Sequence, residues 1–558
     1  MMSIIQCKIA PRSGIQTMNQ AAAAIPSAVT AGVAPGVRPY DPAELSTARK
    51  FLIFGVMAFG QFMALLDIQI VAASLNEVQA GLSAGPDEIS WVQTAYLMAE
   101  LVMIPFSAFL AQAMSTRWLF ATSAGLFTLC SVLCGLAWNM ESMTLFRALQ
   151  GFTGGAMIPT VFAVGFTIFS GKQRALIPAI LGIVSVLAPT LGPTVGGLIT
   201  QALDWRWIFF INVVPGIAVT LLTLSLLHMD RADVSMFRRI DWMHLTAMAA
   251  FLAGLEYVLE EGPRLDWFGD THIRIAAWLS FVGLMLFLER SIHSRSPIVK
   301  LSAFRRPSFV FACVFNLVIG FGLFASTYLI PVYLGRVRGF TSLQIGTTVF
   351  VVGCAQLVST IIAARLSEAV DRRYVITVGL ALFAFSLWLT SHATAQWGFG
   401  ELFWPQTVRG LAIMLCIVPS VGMALSRFEG AELRYASGLF NLMRNLGGAI
   451  GIAVVNTWLQ DNARIAALRF GEALGQNMQV AVDALAGLAQ RFSTVTPDPE
   501  HALLLARATI GRVIAQQSLT IAFDDVFRLM CWMFVAALLM VPFARASSGA
   551  NPSSADVH

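Results

Sequence analysis

The 558-residue sequence predicts an all-α integral membrane protein, with two pseudo-symmetric six-helix halves and two further helices inserted between them. Three observations carry that expectation. Hydrophobic residues make up 57% of the chain and charged residues only 12%, about half the charged share of a soluble protein. Fourteen runs stay apolar for the roughly 20 residues that cross a bilayer as a helix. Landmarks along the chain also recur at a nearly constant offset of 258–260 residues.

The composition excludes several other classes. A water-soluble fold could not coat itself with so few charges, and the mean hydropathy of +0.72 agrees. A net charge of +5 with only four lysines, Lys8, Lys50, Lys172 and Lys300, forms no tract for nucleic acid. Six cysteines (Cys130, Cys134, Cys313, Cys354, Cys416, Cys531) lie in apolar runs and read as small buried hydrophobes. No His or third Cys joins Cys130 and Cys134 on their shared helical face, so neither a metal site nor a cofactor is signalled.

Residues 1–49 contain AAAAIPSAVTAGVAPGVRPYDPAEL, an Ala-, Pro- and Gly-rich stretch that predicts a disordered tail. It lacks the charged start, apolar run and cleavage site of a secretory signal. The apolar runs follow near 51–74, 91–111, 118–138, 143–169, 175–200, 207–228 and 240–260. Seven more lie near 273–290, 309–332, 344–364, 374–392, 404–425, 435–459 and 526–544. They are continuous rather than alternating, so helices are expected and not a barrel. The polar segment 460–525 reads as a long loop with helical patches, NARIAALRFGEAL and HALLLARATIGRVIAQQ.

Lys and Arg are retained on the cytoplasmic side. With the N-terminus inside, that side holds all four lysines together with Arg174, Arg238, Arg239, Arg295, Arg305, Arg306, Arg372 and Arg373. Both termini are therefore expected in the cytoplasm, and 460–525 outside. The offset pairs Gln150-Gly151 and Pro159 with Arg409-Gly410 and Pro419, and the run starts at 51 and 175 with those at 309 and 435. The organisation that follows is a tail 1–49, a first half 50–228, an inserted pair 229–306, a second half 307–545 and a cytoplasmic tail 546–558. Paired six-helix halves are a transporter architecture, with the substrate path between them.

Polar residues inside the runs are the candidate site. Arg147 lies in LFRALQGFTGG with Gln150 and Gly151 one turn on; a buried guanidinium is costly and needs a partner. Asp67 sits about 16 residues into the first run, roughly 24 Å from its start at 1.5 Å per residue. It is either a solvated carboxylate near the outer surface or one that switches charge. Glu100, mid-run in YLMAELVMIP, either handles protons or substrate or belongs to a structural ion pair. Gly192, Pro193, Gly196 and Gly197 permit bending and close helix contact. Arg409, Asn441, Arg444 and Asn445 are the polar set of the second half, where Arg444 reads as a helix brace; Gly447, Gly448 and Gly451 are packing glycines. Enzyme readings find no support. Gly171-Lys172 is followed by Gln173, so there is no phosphate-binding loop to drive transport with ATP, and the energy source is expected to be an ion gradient.

These residues resemble the major facilitator superfamily. Arg147-x-x-Gln150-Gly151 is similar to its fourth-helix motif, and Gly192-Pro193-x-x-Gly196-Gly197 to the fifth-helix motif of proton-coupled exporters. Leu66-Asp67 and DWRWIFFINVVPG (204–216) resemble the fourteen-helix drug:proton antiporters; LDWFGDTHI (265–273), PIVKLSAF (297–304) and WPQTVRG (404–410) resemble the EmrB-type multidrug exporters. The likeness covers about residues 51–545. It departs at Gln69 and Asn76, where the first-helix motif has Thr and Pro, and at AQAMSTRW (111–118), where only Arg117 remains of the usual basic cluster. The second-half counterpart RLSEAVDRR keeps Glu368, Asp371, Arg372 and Arg373, the expected inner gate.

The resemblance implies a proton-coupled exporter of lipophilic, drug-like toxic compounds in a bacterial inner membrane. Asp67 and Arg147 would be its coupling pair and Glu100 a second proton or cation site. Such exporters work with a periplasmic membrane-fusion adaptor and an outer-membrane channel. Two other readings stand beside this one: an exporter of a single native metabolite such as a siderophore, and a membrane sensor or scaffold that transports nothing.

Overall fold

The computed structural model describes residues 45–85, 88–174, 176–294, 297–476, 478–494, 496 and 498–543. Most of the expected tails, 1–49 and 546–558, therefore lies outside the described residues.

The first half comprises α1 (Thr47–Ala73), α2 (Trp91–Met114), α3 (Thr116–Gly135), α4 (Met140–Ile168), α5 (Leu176–Ala202) and α6 (Trp207–Leu226). The inserted pair is α7 (Trp242–Glu261) and α8 (Thr271–His293). The second half begins with α9 (Pro307–Arg336), α10 (Ser342–Ala369), α11 (Arg372–Thr390) and α12 (Phe399–Leu425). It ends with α13 (Gly430–Gln476), α14 (Met478–Phe492) and α15 (Pro499–Met540). The helices start where short polar side chains accept orphan backbone N–H groups. Asn139 and Ser142 form a capping box at α4, Thr341 and Gln344 another at α10, and Asp241 and Asp270 cap α7 and α8.

The two halves pack alike. In the first, α1 lies on α5, α2 on α4 and α3 on α6; in the second, α9 lies on α13, α10 on α12 and α11 on α15. This is the pseudo-symmetry that the 258–260-residue offset predicts. The halves meet where α13 crosses α2 and α4, and where α5 crosses α10 and α12. Of the inserted pair, α7 touches both α2 and α13, while α8 packs on α7. Large apolar side chains cover the outside, with Trp118 and Trp242 at one end of the bundle and Trp138, Trp207 and Trp404 at the other. That pattern suits a lipid belt with aromatic girdles.

Thirteen of the described helices are long and apolar enough to cross a membrane. The fourteenth expected run, 526–544, falls in the C-terminal part of α15, just after Asp524 and Asp525.

Two expectations need correction. The segment 460–525 is not a loop with patches: α13 continues unbroken to Gln476, α14 follows, and α15 starts at Pro499 behind its Asp498 cap. The 3.6-residue periodicity of the apolar side chains persists there, and no proline interrupts either long helix on the way out. The cysteines are not uniformly buried either, since Cys354 is exposed and Cys531 half-buried. On a membrane-crossing helix an outward-facing thiol meets lipid rather than water, so an apolar run does not imply an inward position.

Candidate functional site

The site is assembled by close helix approach. A Cβ at Gly151 would overlap the Tyr96 backbone carbonyl, so only glycine lets α4 lie so near α2. That approach sets the Arg147 guanidinium 4.3 Å from the centre of the Tyr96 ring. Arg147 Nη1 then reaches Asp67 Oδ2 at 2.7 Å, and neither side chain is exposed at all. Arg147 also donates to Gln150 Oε1 at 2.8 Å and to the Val92 carbonyl at 3.0 Å. The other Asp67 oxygen accepts from Gln150 Nε2 at 3.1 Å and from Asn212 Nδ2 at 2.8 Å. Asn212 in turn donates to Ser131.

Asp67, Arg147 and Gln150 thus stand together as one buried cluster, and the solvated position for Asp67 is ruled out. Asn212 and Ser131 are members that sequence reasoning missed. Asn212 lies inside DWRWIFFINVVPG, and its amide in an otherwise apolar helix is the signal that could have found it. Arg147 Nη2 and the Tyr96 hydroxyl remain buried without hydrogen-bond partners among the described residues, so the cluster has donors to spare. A buried ion pair of this kind is held by its own charges: removing one partner costs about 3–5 kcal/mol.

Glu100 is not part of this cluster. It is buried, lacks a hydrogen-bonding partner among the described residues, and faces an internal cavity of about 100 Å³ between the halves. Arg444 and Asn445 of α13 line the same cavity, as do Glu256 and Glu260 of α7, which sequence reasoning also missed. Their signal is the spacing of four residues within an apolar run. Arg444 donates to Asn441 Oδ1 at 2.9 Å, and Asn441 to the Ser437 carbonyl at 3.0 Å; both bonds stay within α13 and brace it to no other helix.

Arg409, which the offset pairs with Gln150, is buried with no carboxylate partner among the described residues. The reason lies in the offset: the position matching Asp67 falls near Ala325 and Ser326, which carry no charge.

Glycines also join α5 to α1. A Cβ at Gly192 would overlap the Gln69 side chain, and one at Gly196 would sit 3.0 Å from Ser74 Oγ and 3.1 Å from the Ile70 carbonyl. Pro193 lies between them and Gly197 is half-buried. Gly192→Ala is therefore expected to destabilise by about 1–3 kcal/mol, the usual cost of overpacking, while Gly196→Ala costs less. Thermal melts of the purified variants check this, and a Gly192→Ala melt identical to wild type would refute the close approach.

At the end of the bundle where α1 starts, the segment 111–118, in which α2 ends at Met114 and α3 begins at Thr116, lacks the basic cluster but is still tied down. Asp230 accepts from Thr116 N at 3.0 Å and Thr116 Oγ1 at 2.6 Å, and pairs with Arg434 of the other half at 3.2 Å. Arg174 adds a bond across the halves to the Phe428 carbonyl at 3.2 Å. In the second half Arg372 donates to the Gly422 carbonyl at 2.9 Å, fastening α11 to the end of α12. Asp371 caps α11 by accepting from Arg373 N, and Glu368 is exposed with no ion pair among the described residues.

The family model of the Major Facilitator Superfamily matches residues 57–452. The colistin resistance protein EmrB of Acinetobacter baumannii is 40% identical over 490 residues, covering 88% of this chain and 95% of its own. The fatty acid resistance protein FarB of Neisseria gonorrhoeae is 28% identical, with coverage of 87% and 94%. The multidrug export protein EmrB of Escherichia coli is 26% identical, with coverage of 92% and 99%. Among solved structures, the proton:xylose symporter XylE superposes with a TM-score of 0.56 at 13% identity, covering 91% of this chain and 98% of its own. The human organic anion transporter MFSD10 gives 0.53 at 12% identity, with coverage of 88% and 100%. At such identities these two structures speak for the fold alone.

Proposed function

This chain belongs to the Major Facilitator Superfamily, and from that premise we propose that it is a proton-coupled multidrug efflux transporter. It exports amphipathic toxic compounds by alternating access between its two halves. The observation that carries the reading is the fully buried Asp67–Arg147 pair inside a membrane-crossing bundle. A charge there is tolerated only while paired, so protonating Asp67 frees the guanidinium and changes which arrangement of the helices is favoured. Gln150 and Asn212 hold the carboxylate between those states, and Glu100 serves as a second proton or cation site. No cofactor is required beyond the proton gradient.

The relatives' names support the substrate class: one refers to colistin, one to fatty acids and one to many drugs, compounds that share amphipathic character rather than a common scaffold. The arginines Arg174, Arg238, Arg239, Arg305, Arg306, Arg372 and Arg373 lie at the end where α1 starts, a bias that supports a bacterial inner-membrane protein with that end in the cytoplasm. The projecting ends of α13 and α15 then face the periplasm, where they meet a membrane-fusion adaptor leading to an outer-membrane channel.

Inside-out proteoliposomes test the core of this proposal. An acid-inside pH gradient is expected to drive accumulation of a fluorescent lipophilic dye, and a protonophore to abolish it. Accumulation that ignores the protonophore would overturn proton coupling, and none at all would overturn export.

A further inference from the structure

The inserted helix α7 is more than a spacer between the halves. It touches α2 on one side and α13 on the other, and from there two of its carboxylates reach the central cavity. Its three acidic residues near the C-terminal end behave differently. Glu261 is satisfied, since Arg264 donates to it at 2.8 Å and Thr94 Oγ1 at 3.3 Å. Glu256 is only 4% exposed, yet its Oε2 has no hydrogen-bond partner among the described residues. Glu260, one turn further on, lines the same cavity beside it.

A structural brace would show a partner for Glu256. An unpartnered carboxylate aimed into a membrane-embedded cavity is instead a group waiting for a cation. The cavity contains three carboxylates, Glu100, Glu256 and Glu260, against one guanidinium, Arg444. Fully ionised, the three acids and one arginine leave two negative charges unmatched. The remaining wall is apolar, including Leu97, Phe324 and Ile452.

We propose that Glu256 and Glu260 of α7 form a recognition site for the positively charged groups of a dicationic amphipathic substrate. Residues 256 and 260 are about 6 Å apart along the helix axis, so each carboxylate can take one cationic centre. A monocation leaves the second carboxylate uncompensated beside it. A dication neutralises both, while its apolar body lies on the leucine and phenylalanine wall. In the present arrangement the cavity is smaller than the roughly 300 Å³ a drug-sized ligand needs, so binding accompanies parting of the halves. Because α7 contacts both halves, it is placed to follow that movement. This inference rests on the exporter reading for its substrate but not for its test.

The test uses the purified full chain in detergent and three matched ligands. These are N-dodecylbutane-1,4-diamine, whose two ammonium centres are spaced like the two carboxylates, the same molecule with its terminal amine replaced by a hydroxyl, and the neutral N-dodecyl-4-hydroxybutanamide. Wild type is expected to bind the dication at least about tenfold more tightly than the monocation, as one charge-assisted pair commonly provides. Glu256→Gln and Glu260→Gln should each remove about tenfold of dication affinity and leave the neutral compound unchanged, while Glu256→Asp should retain part of it. Wild-type protein that does not favour the dication overturns the proposal. So do Gln variants that weaken all three ligands alike, because that is what a structural or purely proton-handling role does. Vesicle transport of the same ligands is read in parallel. If wild type moves none of them, the exporter reading fails while the binding series still decides the role of α7.

Discussion

Asp67→Asn is expected to abolish substrate-driven proton release while leaving the purified protein able to bind substrate. The substitution keeps the shape of the side chain and an oxygen that can accept from Gln150 and Asn212, which lie 3.1 and 2.8 Å from the Asp67 carboxylate. It removes the only feature that coupling needs, a group that gains and loses a proton. It also leaves Arg147 buried with no opposing charge, and breaking such a pair costs about 3–5 kcal/mol. A lower melting temperature will therefore accompany the loss of coupling and must be separated from it.

The double variant Asp67→Asn/Arg147→Gln makes that separation. With both charges gone, no bare guanidinium is left in the bundle, so stability should recover most of the way toward wild type. Coupling should not recover, because nothing at the site titrates. Proton release would be followed with a pH-sensitive dye on addition of substrate, and stability by thermal melting of the same preparations. Normal proton release by well-folded Asp67→Asn would take Asp67 out of the mechanism. Recovery of release in the double variant would show that the pair is structural and that the proton travels elsewhere, with Glu100 next in line.

The fold was legible because membrane helices are chosen by a blunt rule. About 20 apolar residues in a row can satisfy their backbone in lipid only as a helix, and the chain states that rule over and over. Arg147 was legible for the same reason, since a guanidinium in such a run demands an explanation. Its partner was legible as Asp67 through the family motif, not through spacing, because 80 residues separate the two. What stayed hidden was contact between distant segments. Asn212 and Ser131 look like ordinary polar punctuation until α6 and α3 bring them to Asp67. Glu256 and Glu260 sit near the end of an apolar run, where carboxylates normally reach the headgroups; only the packing of α7 against α2 and α13 turns them inward. The segment 460–525 misled through composition. Its charged side chains resemble a loop, whereas a helix that has left the bilayer is free to carry charge on every face.

That segment yields the second large effect. At 47 and 42 residues, α13 and α15 are about 70 and 63 Å long at 1.5 Å per residue, against a hydrocarbon core of about 30 Å. They pack on each other, with α14 laid along α15, so the extra length forms a helical projection rather than a floppy loop. Along it Leu468 is 62% exposed and Leu504 61%, far from the length of helix that lipid could cover. Exposed leucines on a rigid support outside the membrane suit a protein partner, and the proposed membrane-fusion adaptor is the partner in reach. Removing residues 468–511 and joining the stubs through a Gly-Ser-Gly-Ser turn spares Gln516, which anchors α15 by donating to the Val337 carbonyl at 2.8 Å. The stubs belong to helices that pack on each other, so their cut ends are held on neighbouring elements. This variant is expected to lose cellular resistance almost completely, measured as growth inhibition in a double-membraned host, yet to transport dye in proteoliposomes within about twofold of wild type. The asymmetry is the point, because vesicles contain no adaptor to lose. Equal failure in vesicles would assign the projection to the transporter's own gate, and full resistance in cells would leave it without a docking role.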